Sequence, residues 1–103
     1  MLELYELTKQ FAVEQRYRLV DQICRAAASV PTNIAEGKGR GSTKEYIHFL
    51  IMARGSTEET KYLLLLARDL HYLQNAKYLE LTSEYSQVSR ILNGLISALK
   101  QKA

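Results

Sequence analysis

Glu45 and His48 stand three residues apart on a stretch with helical spacing, and Glu-x-x-His is half of the carboxylate-bridged pattern that holds two metal ions inside helical bundles. The other half is absent, because Arg68 and not a glutamate precedes His71 by three residues. Glu45 also has a competing use: Ser42-Thr43-Lys44-Glu45 has the S-x-x-E order of a helix capping box. Residues 37–44, GKGRGSTK, hold the letters of a phosphate loop, but the order G-x-x-x-x-G-K-[ST] is unmet and no strand precedes them. No Ser/His/Asp set and no Cys/His pair has positional support. Cys24 is the single cysteine, which excludes an internal disulfide, and its place beside Ile23 on an apolar helical edge suits a buried small hydrophobe. The chemistry therefore reads as non-enzymatic, with no metal and no cofactor.

What remains is anion binding. The formal net charge is +3 and its distribution is uneven. Residues 9–44 carry seven basic and three acidic side chains, residues 85–103 add three basic and no acidic ones, and residues 45–84 are slightly acidic. A helix beginning at Ser42 and flanked by Lys38, Arg40 and Lys44 presents backbone amides and cations to a phosphate. Arg16 and Arg18 extend the basic bias, so Arg16, Arg18, Lys38, Arg40 and Lys44 are the candidate nucleic-acid contacts. The bland alternative is a set of solvated charges around a plain turn. The seven tyrosines read mainly as seam or interface residues, with one or two available for stacking on bases.

At 103 residues the chain is one domain, and with one proline, five glycines and long stretches free of both it reads as all-α. Apolar spacing predicts four helices, at about 2–12, 17–37, 43–73 and 76–100. The first, with Leu4, Leu7 and Phe11, is too short to stand alone. The second repeats Leu19, Val20, Ile23, Ala26, Ala27, Val30 and Ile34, passes through Pro31 with an expected kink, and is expected to end on Gly37 as a left-handed cap. The third carries Tyr46, Phe49, Leu50, Ala53, Thr57, Thr60, Leu64 and Ala67; the fourth, opened by Asn75, carries Tyr78, Leu81, Tyr85, Val88, Leu92, Leu95 and Leu99.

A hairpin about Gly41 pairs residues of the second and third helices whose numbers add to about 82. It sets Ala26, Ala27 and Ala28 against Gly55 and Ser56, with Arg25 in reach of Glu58 or Glu59. Arg25, Ser29, Asn33, Glu36, Ser56 and Glu59 form a structural polar cluster on this reading. Outside the main stripe of the third helix, Ile47, Ile51, Tyr62, Leu65, Leu66 and Tyr72 interrupt the charges, and a second copy of the chain is the expected cover. The longest apolar run, at 62–67, is too short for a bilayer, and Glu3 and Glu6 follow Met1 closely, so the expected setting is cytoplasmic and without a membrane partner.

Residues 19–59, LVDQICRAAASVPTNIAEGKGRGSTKEYIHFLIMARGSTEE, resemble the bacterial proteins encoded within 23S rRNA intervening sequences, a family that also includes accessory subunits of diversity-generating retroelements. The resemblance spans roughly Tyr5 to Leu99. It is carried by Gln22, Arg25, Ala26, Ser29, Pro31, Asn33, Ile34, Ala35, Glu36, Gly37, Gly55, Ser56 and Glu59. It implies an antiparallel up-down four-helix bundle, here with a shortened first helix and a Pro-kinked second. It also implies a homo-oligomer, commonly a pentamer, without known catalysis; the retroelement relatives bind nucleic acid and a reverse transcriptase through a basic surface. Three positions depart from the pattern: Ala12 replaces a usual proline, Gln15 a usual acid and Arg18 a usual glycine. The short first helix leaves part of the groove between the second and fourth helices open to a partner or to segment exchange between subunits.

The function expected on these grounds is a self-associating helical protein that contacts RNA, DNA or a nucleic-acid enzyme through its basic surface. The alternative is a protein-interaction adaptor that uses exposed apolar helix faces and binds no nucleic acid.

Overall fold

The computed structural model describes the backbone of residues 2–102 and the side chains of residues 12–102. It contains three helices and no strand among those residues: α1, Leu2–Gly39; α2, Thr43–Asp69; and α3, Asn75–Lys102. The four-helix expectation is therefore corrected. The stretches assigned to a first and a second helix are one helix of 38 residues, about 57 Å long at 1.5 Å per residue. The physical reason lies at residues 12–16, Ala-Val-Glu-Gln-Arg. These contain no proline and no glycine, and neither does the join to Tyr17, Arg18 and Leu19. Nothing there costs the backbone its next hydrogen bond, so the helix continues. The expected lean of Leu4, Leu7 and Phe11 on a neighbour lies outside the described side chains.

Pro31 sits inside α1 and does not end it. It removes one donor, and the polar side chains after it turn back onto the helix: Thr32 Oγ1 donates to the Ala28 carbonyl at 2.9 Å and Asn33 Nδ2 to the Ser29 carbonyl at 2.8 Å. The expected cap at Gly37 is also corrected. Gly37 lies buried within the helix, and the left-handed residue is Gly41, at φ 83°. Gly37 serves a different need, close approach. A Cβ there would fall 2.8 Å from Cβ of Phe49 and 2.9 Å from Cδ1 of Tyr46.

The N-terminus of α2 matches its sequence signal. Ser42, extended at φ −126° and ψ 145°, accepts the Glu45 amide on its hydroxyl at 3.1 Å. The other end stops several residues before Leu73, at a paired-hydrogen-bond cap. The Tyr72 amide reaches the Ala67 carbonyl and the His71 amide the Arg68 carbonyl, each at 2.9 Å, with His71 left-handed at φ 64°. The α3 helix starts one residue earlier than expected and closes its first turn on the Gln74 carbonyl.

Both α1 and α3 pack along α2, and their own backbones stay apart. The result is a layer one helix deep, 66 × 26 × 13 Å across its Cα atoms. Two apolar clusters hold it. Val30, Leu50, Ala53, Leu92 and Ile96 form one, with Ile34, Tyr46, Ile47, Val88, Leu95 and Leu99 packed around them. Leu19, Ala26, Leu63 and Ala67 form the other, with Ile23, Leu66, Tyr72 and Leu73 against them.

The contact at Gly37 gives a direct check. Gly37→Ala is expected to destabilise the protein by about 1–3 kcal/mol through overpacking. Gly39→Ala, two residues on with nothing within 4 Å of its Cβ position, is expected to be neutral or stabilising by up to about 0.5 kcal/mol. Urea denaturation followed by circular dichroism measures both, and equal effects would remove the steric account.

Candidate nucleic-acid interface

Three side-chain bonds fix how the helices align. Ser29 and Ser56 hydroxyls meet at 2.8 Å between α1 and α2, Ser89 Oγ donates to Glu58 Oε1 at 2.7 Å, and Arg54 Nη1 donates to Asn93 Oδ1 at 2.9 Å. Paired numbers thus add to about 85 across α1–α2, and to 147 across α2–α3. The expected value of 82 for the first pair is three too low, because the turn is centred beyond Gly41, between Ser42 and Thr43. The alanines of α1 shift accordingly, and Ser29, not Ala26, faces Ser56.

This alignment sets Lys38 level with Lys100 and Arg40 level with Lys102. Lys44 opens α2 beside them. Five cations therefore collect at one end of the layer, with Glu36 and Glu45 the acidic side chains of the same end. Lys38, Arg40, Lys44, Lys100 and Lys102 are all exposed. Arg40 is the most structured of them. Its guanidinium stands 5.0 Å over the Phe49 ring and 3.6 Å from the Glu36 carboxylate, while its side chain stays half exposed. The amide end of α2 at Ser42 lies within the group, whereas Lys38, Lys100 and Lys102 occupy last turns and offset the carbonyl ends of α1 and α3.

Arg16 and Arg18 are not part of this collection. They lie on α1 toward the opposite end, and the twenty residues from Arg18 to Lys38 span about 30 Å of helix. The five sequence candidates thus divide into two groups. The residues the sequence reading left out of the site, Lys100 and Lys102, carried a visible signal in the basic C-terminal stretch, but only the alignment of α3 brings them beside Arg40.

The polar cluster is built around Ser29. Asn33 Nδ2 donates to Ser29 Oγ at 2.9 Å as well as to its carbonyl, and Thr60 donates to the Ser56 carbonyl at 2.8 Å. Arg25 pairs with Asp21 at 2.6 Å, not with Glu58 or Glu59, and Glu36 pairs with Arg40. Arg25 and Glu59 share a shallow pocket with Gln22, Ala26, Ser29 and Ser56. Of the six candidate association residues, Ile47 packs against the first cluster, Leu66 and Tyr72 against the second, and Leu65 is half-buried. Ile51 and Tyr62 stay exposed, at 37% and 63%. His48 is exposed and set edge-on to Phe49, and among the described residues no three His, Cys, Asp or Glu side chains converge as metal ligands. No described helix is long and apolar enough to cross a membrane.

A family model described as "23S rRNA-intervening sequence protein" matches residues 1–94. The fold is similar to a crystal structure of a protein of unknown function from the S23 ribosomal protein family of Bacteroides thetaiotaomicron VPI-5482. The two are 25% identical with a TM-score of 0.77, over 93% of this chain and 87% of that one. No curated protein matches.

The Ser29 network is open to a stability test. Ser29→Ala removes the partner of Ser56 and one acceptor of Asn33, and is expected to cost about 1–2 kcal/mol in urea denaturation. Glu59→Gln, at a carboxylate with no described bond, is expected to change stability by less than about 0.5 kcal/mol.

Proposed function

Because this chain belongs to the 23S rRNA-intervening sequence protein family, whose solved relative is itself described as of unknown function, we propose a non-catalytic role in which the basic end of the layer grips a nucleic-acid backbone. One observation carries the reading: Lys38, Arg40, Lys44, Lys100 and Lys102 collect from three helices and the α1–α2 turn at one end, around the amide end of α2. Phosphates are the matching ligand, since cations spread over a surface engage several charges along a strand and release its counterions. Arg40, held by Phe49 and Glu36, supplies a pre-set guanidinium, while the lysines act as mobile point charges. With contacts of this type, binding follows backbone shape and charge more than base sequence.

Fluorescence anisotropy against a structured RNA hairpin and a duplex DNA, titrated with salt, tests the reading. The Arg40→Ala, Lys44→Ala double variant is expected to lose about tenfold in affinity near 50 mM salt and to flatten the salt slope by about 0.9 for each phosphate contact removed. Adding Lys100→Ala and Lys102→Ala deepens the loss. The Arg16→Ala, Arg18→Ala variant is expected to stay within about twofold of wild type, as its positions lie some 30 Å away. No binding at low salt, or equal losses in both double variants, overturns the proposal.

A further inference from the structure

Two acidic side chains, Glu36 and Glu45, stand among the cations of the basic end, and only one of them is accounted for by its helix. Glu45 occupies the first turn of α2, where the amide end favours a carboxylate. Glu36 occupies the last turn of α1, where the carbonyl end disfavours one and Lys38 is the residue that suits. Its pair with Arg40 is a weak compensation. The charged groups are 3.6 Å apart, just beyond hydrogen-bond reach, and both side chains are about half exposed. The carboxylate therefore keeps its lone pairs for another donor.

The surface beside it has room for one. Thr32, Ala35, Glu36, Gly39 and Arg40 line an open depression of about 440 Å³. Gly39 leaves its part of the wall bare, with nothing within 4 Å of where a Cβ would stand, so a ligand can come up to the backbone. The Thr32 hydroxyl spends its proton on the Ala28 carbonyl and faces a ligand only as an acceptor. The depression thus offers acceptors at Thr32 and Glu36 beside a single guanidinium, which the Phe49 ring holds in place.

We propose that Glu36 and Arg40 together read the sugar of a ribonucleotide strand: the 2′-hydroxyl donates to the Glu36 carboxylate while Arg40 donates to the adjoining 3′-phosphate. This role rests on the backbone grip proposed for the same end and names its substrate class, RNA over DNA. The match is geometric. The 2′-hydroxyl and the 3′-phosphate leave neighbouring carbons of one ribose, so a strand presents a donor and an anion side by side to an acceptor and a cation that are themselves 3.6 Å apart. Simpler ligands fit worse, because a lone anion is repelled by Glu36 and a lone cation by Arg40. A deoxyribose strand sets its phosphate beside the carboxylate and supplies no donor, so the group that holds RNA also weakens DNA binding. Reading the sugar requires no particular base, in keeping with contacts that follow the backbone.

Fluorescence anisotropy at low salt tests this with two probes, an RNA hairpin and the same hairpin with every 2′-hydroxyl replaced by fluorine, which keeps the A-form sugar pucker and removes the donor. Wild type is expected to prefer the RNA by about three- to tenfold. Glu36→Met keeps the length and helix propensity of the side chain without its charge or acceptor, and is expected to bring the two affinities within about twofold of each other. It is also expected to bind the fluorinated hairpin at least as well as wild type does, since a negative charge has gone. Its helical circular dichroism is expected to match wild type, the side chain being half exposed. Lys44→Ala, which removes a phosphate contact, is expected to weaken both hairpins by the same factor. Equal wild-type affinities for the two hairpins overturn the sugar reading and leave the grip standing. A preference for RNA that survives Glu36→Met, or weaker binding of the fluorinated hairpin by that variant, overturns it as well. Absence of binding to either hairpin removes the grip itself, and the sugar reading with it.

Discussion

The structure depends on one face of α2. At its middle Leu50, Ala53, Thr57 and Thr60 have no exposed surface at all, and it is the helix against which both others pack. Two of these four are threonines, whose hydroxyls would be costly to bury if they needed partners from elsewhere. They need none. Thr57 donates to the Ala53 carbonyl at 2.9 Å and Thr60 to the Ser56 carbonyl at 2.8 Å. No buried polar side-chain atom among the described residues lacks a partner. Short, self-satisfied side chains keep that face narrow, so α1 and α3 approach it from two sides without meeting each other. The layered shape, the open groove and the grouping of cations at one end all follow from that arrangement.

The buried face of α2 was legible in the sequence, because Tyr46, Leu50, Ala53, Thr57, Thr60, Leu64 and Ala67 keep helical phase and all face inward or partly so. The expected break between residues 12 and 17 is absent from the structure. A gap in apolar spacing suggested it, yet spacing reports burial and not backbone continuity, and Ala12 and Arg18 supply no breaker. Gly37 misled for a related reason: a glycine near a helix end serves either as a left-handed cap or as room for a neighbour, and only the Phe49 and Tyr46 contacts separate the two. The regular row of α3 was read correctly as a pattern, but only Leu92 of it is buried. In a layer one helix deep, the other six residues of that row are only partly covered.

The candidate site was legible in composition and not in geometry. Clustering along the chain identified Lys38, Arg40 and Lys44, since neighbours across a short turn stay neighbours in space. It also groups Arg16 and Arg18 with them, though about 30 Å of helix separates the two sets, and it leaves out Lys100 and Lys102, which only the α2–α3 alignment brings to the same end. Arg25 shows the limit in a single residue. Glu59 lines the same shallow pocket, yet the guanidinium bonds to Asp21, one turn back on its own helix, a local pairing that reasoning across the seam passes over.

The connections carry a consequence of their own. Arg40–Ser42 and Leu70–Gln74 are the whole of the chain between the helices, so every pair of packed helices is also adjacent in sequence. Closing such short loops costs little entropy, and contacts between near segments are the kind found in chains that fold within milliseconds or less. Each helical hairpin is built from its own stretch of polypeptide, and α2 is common to both.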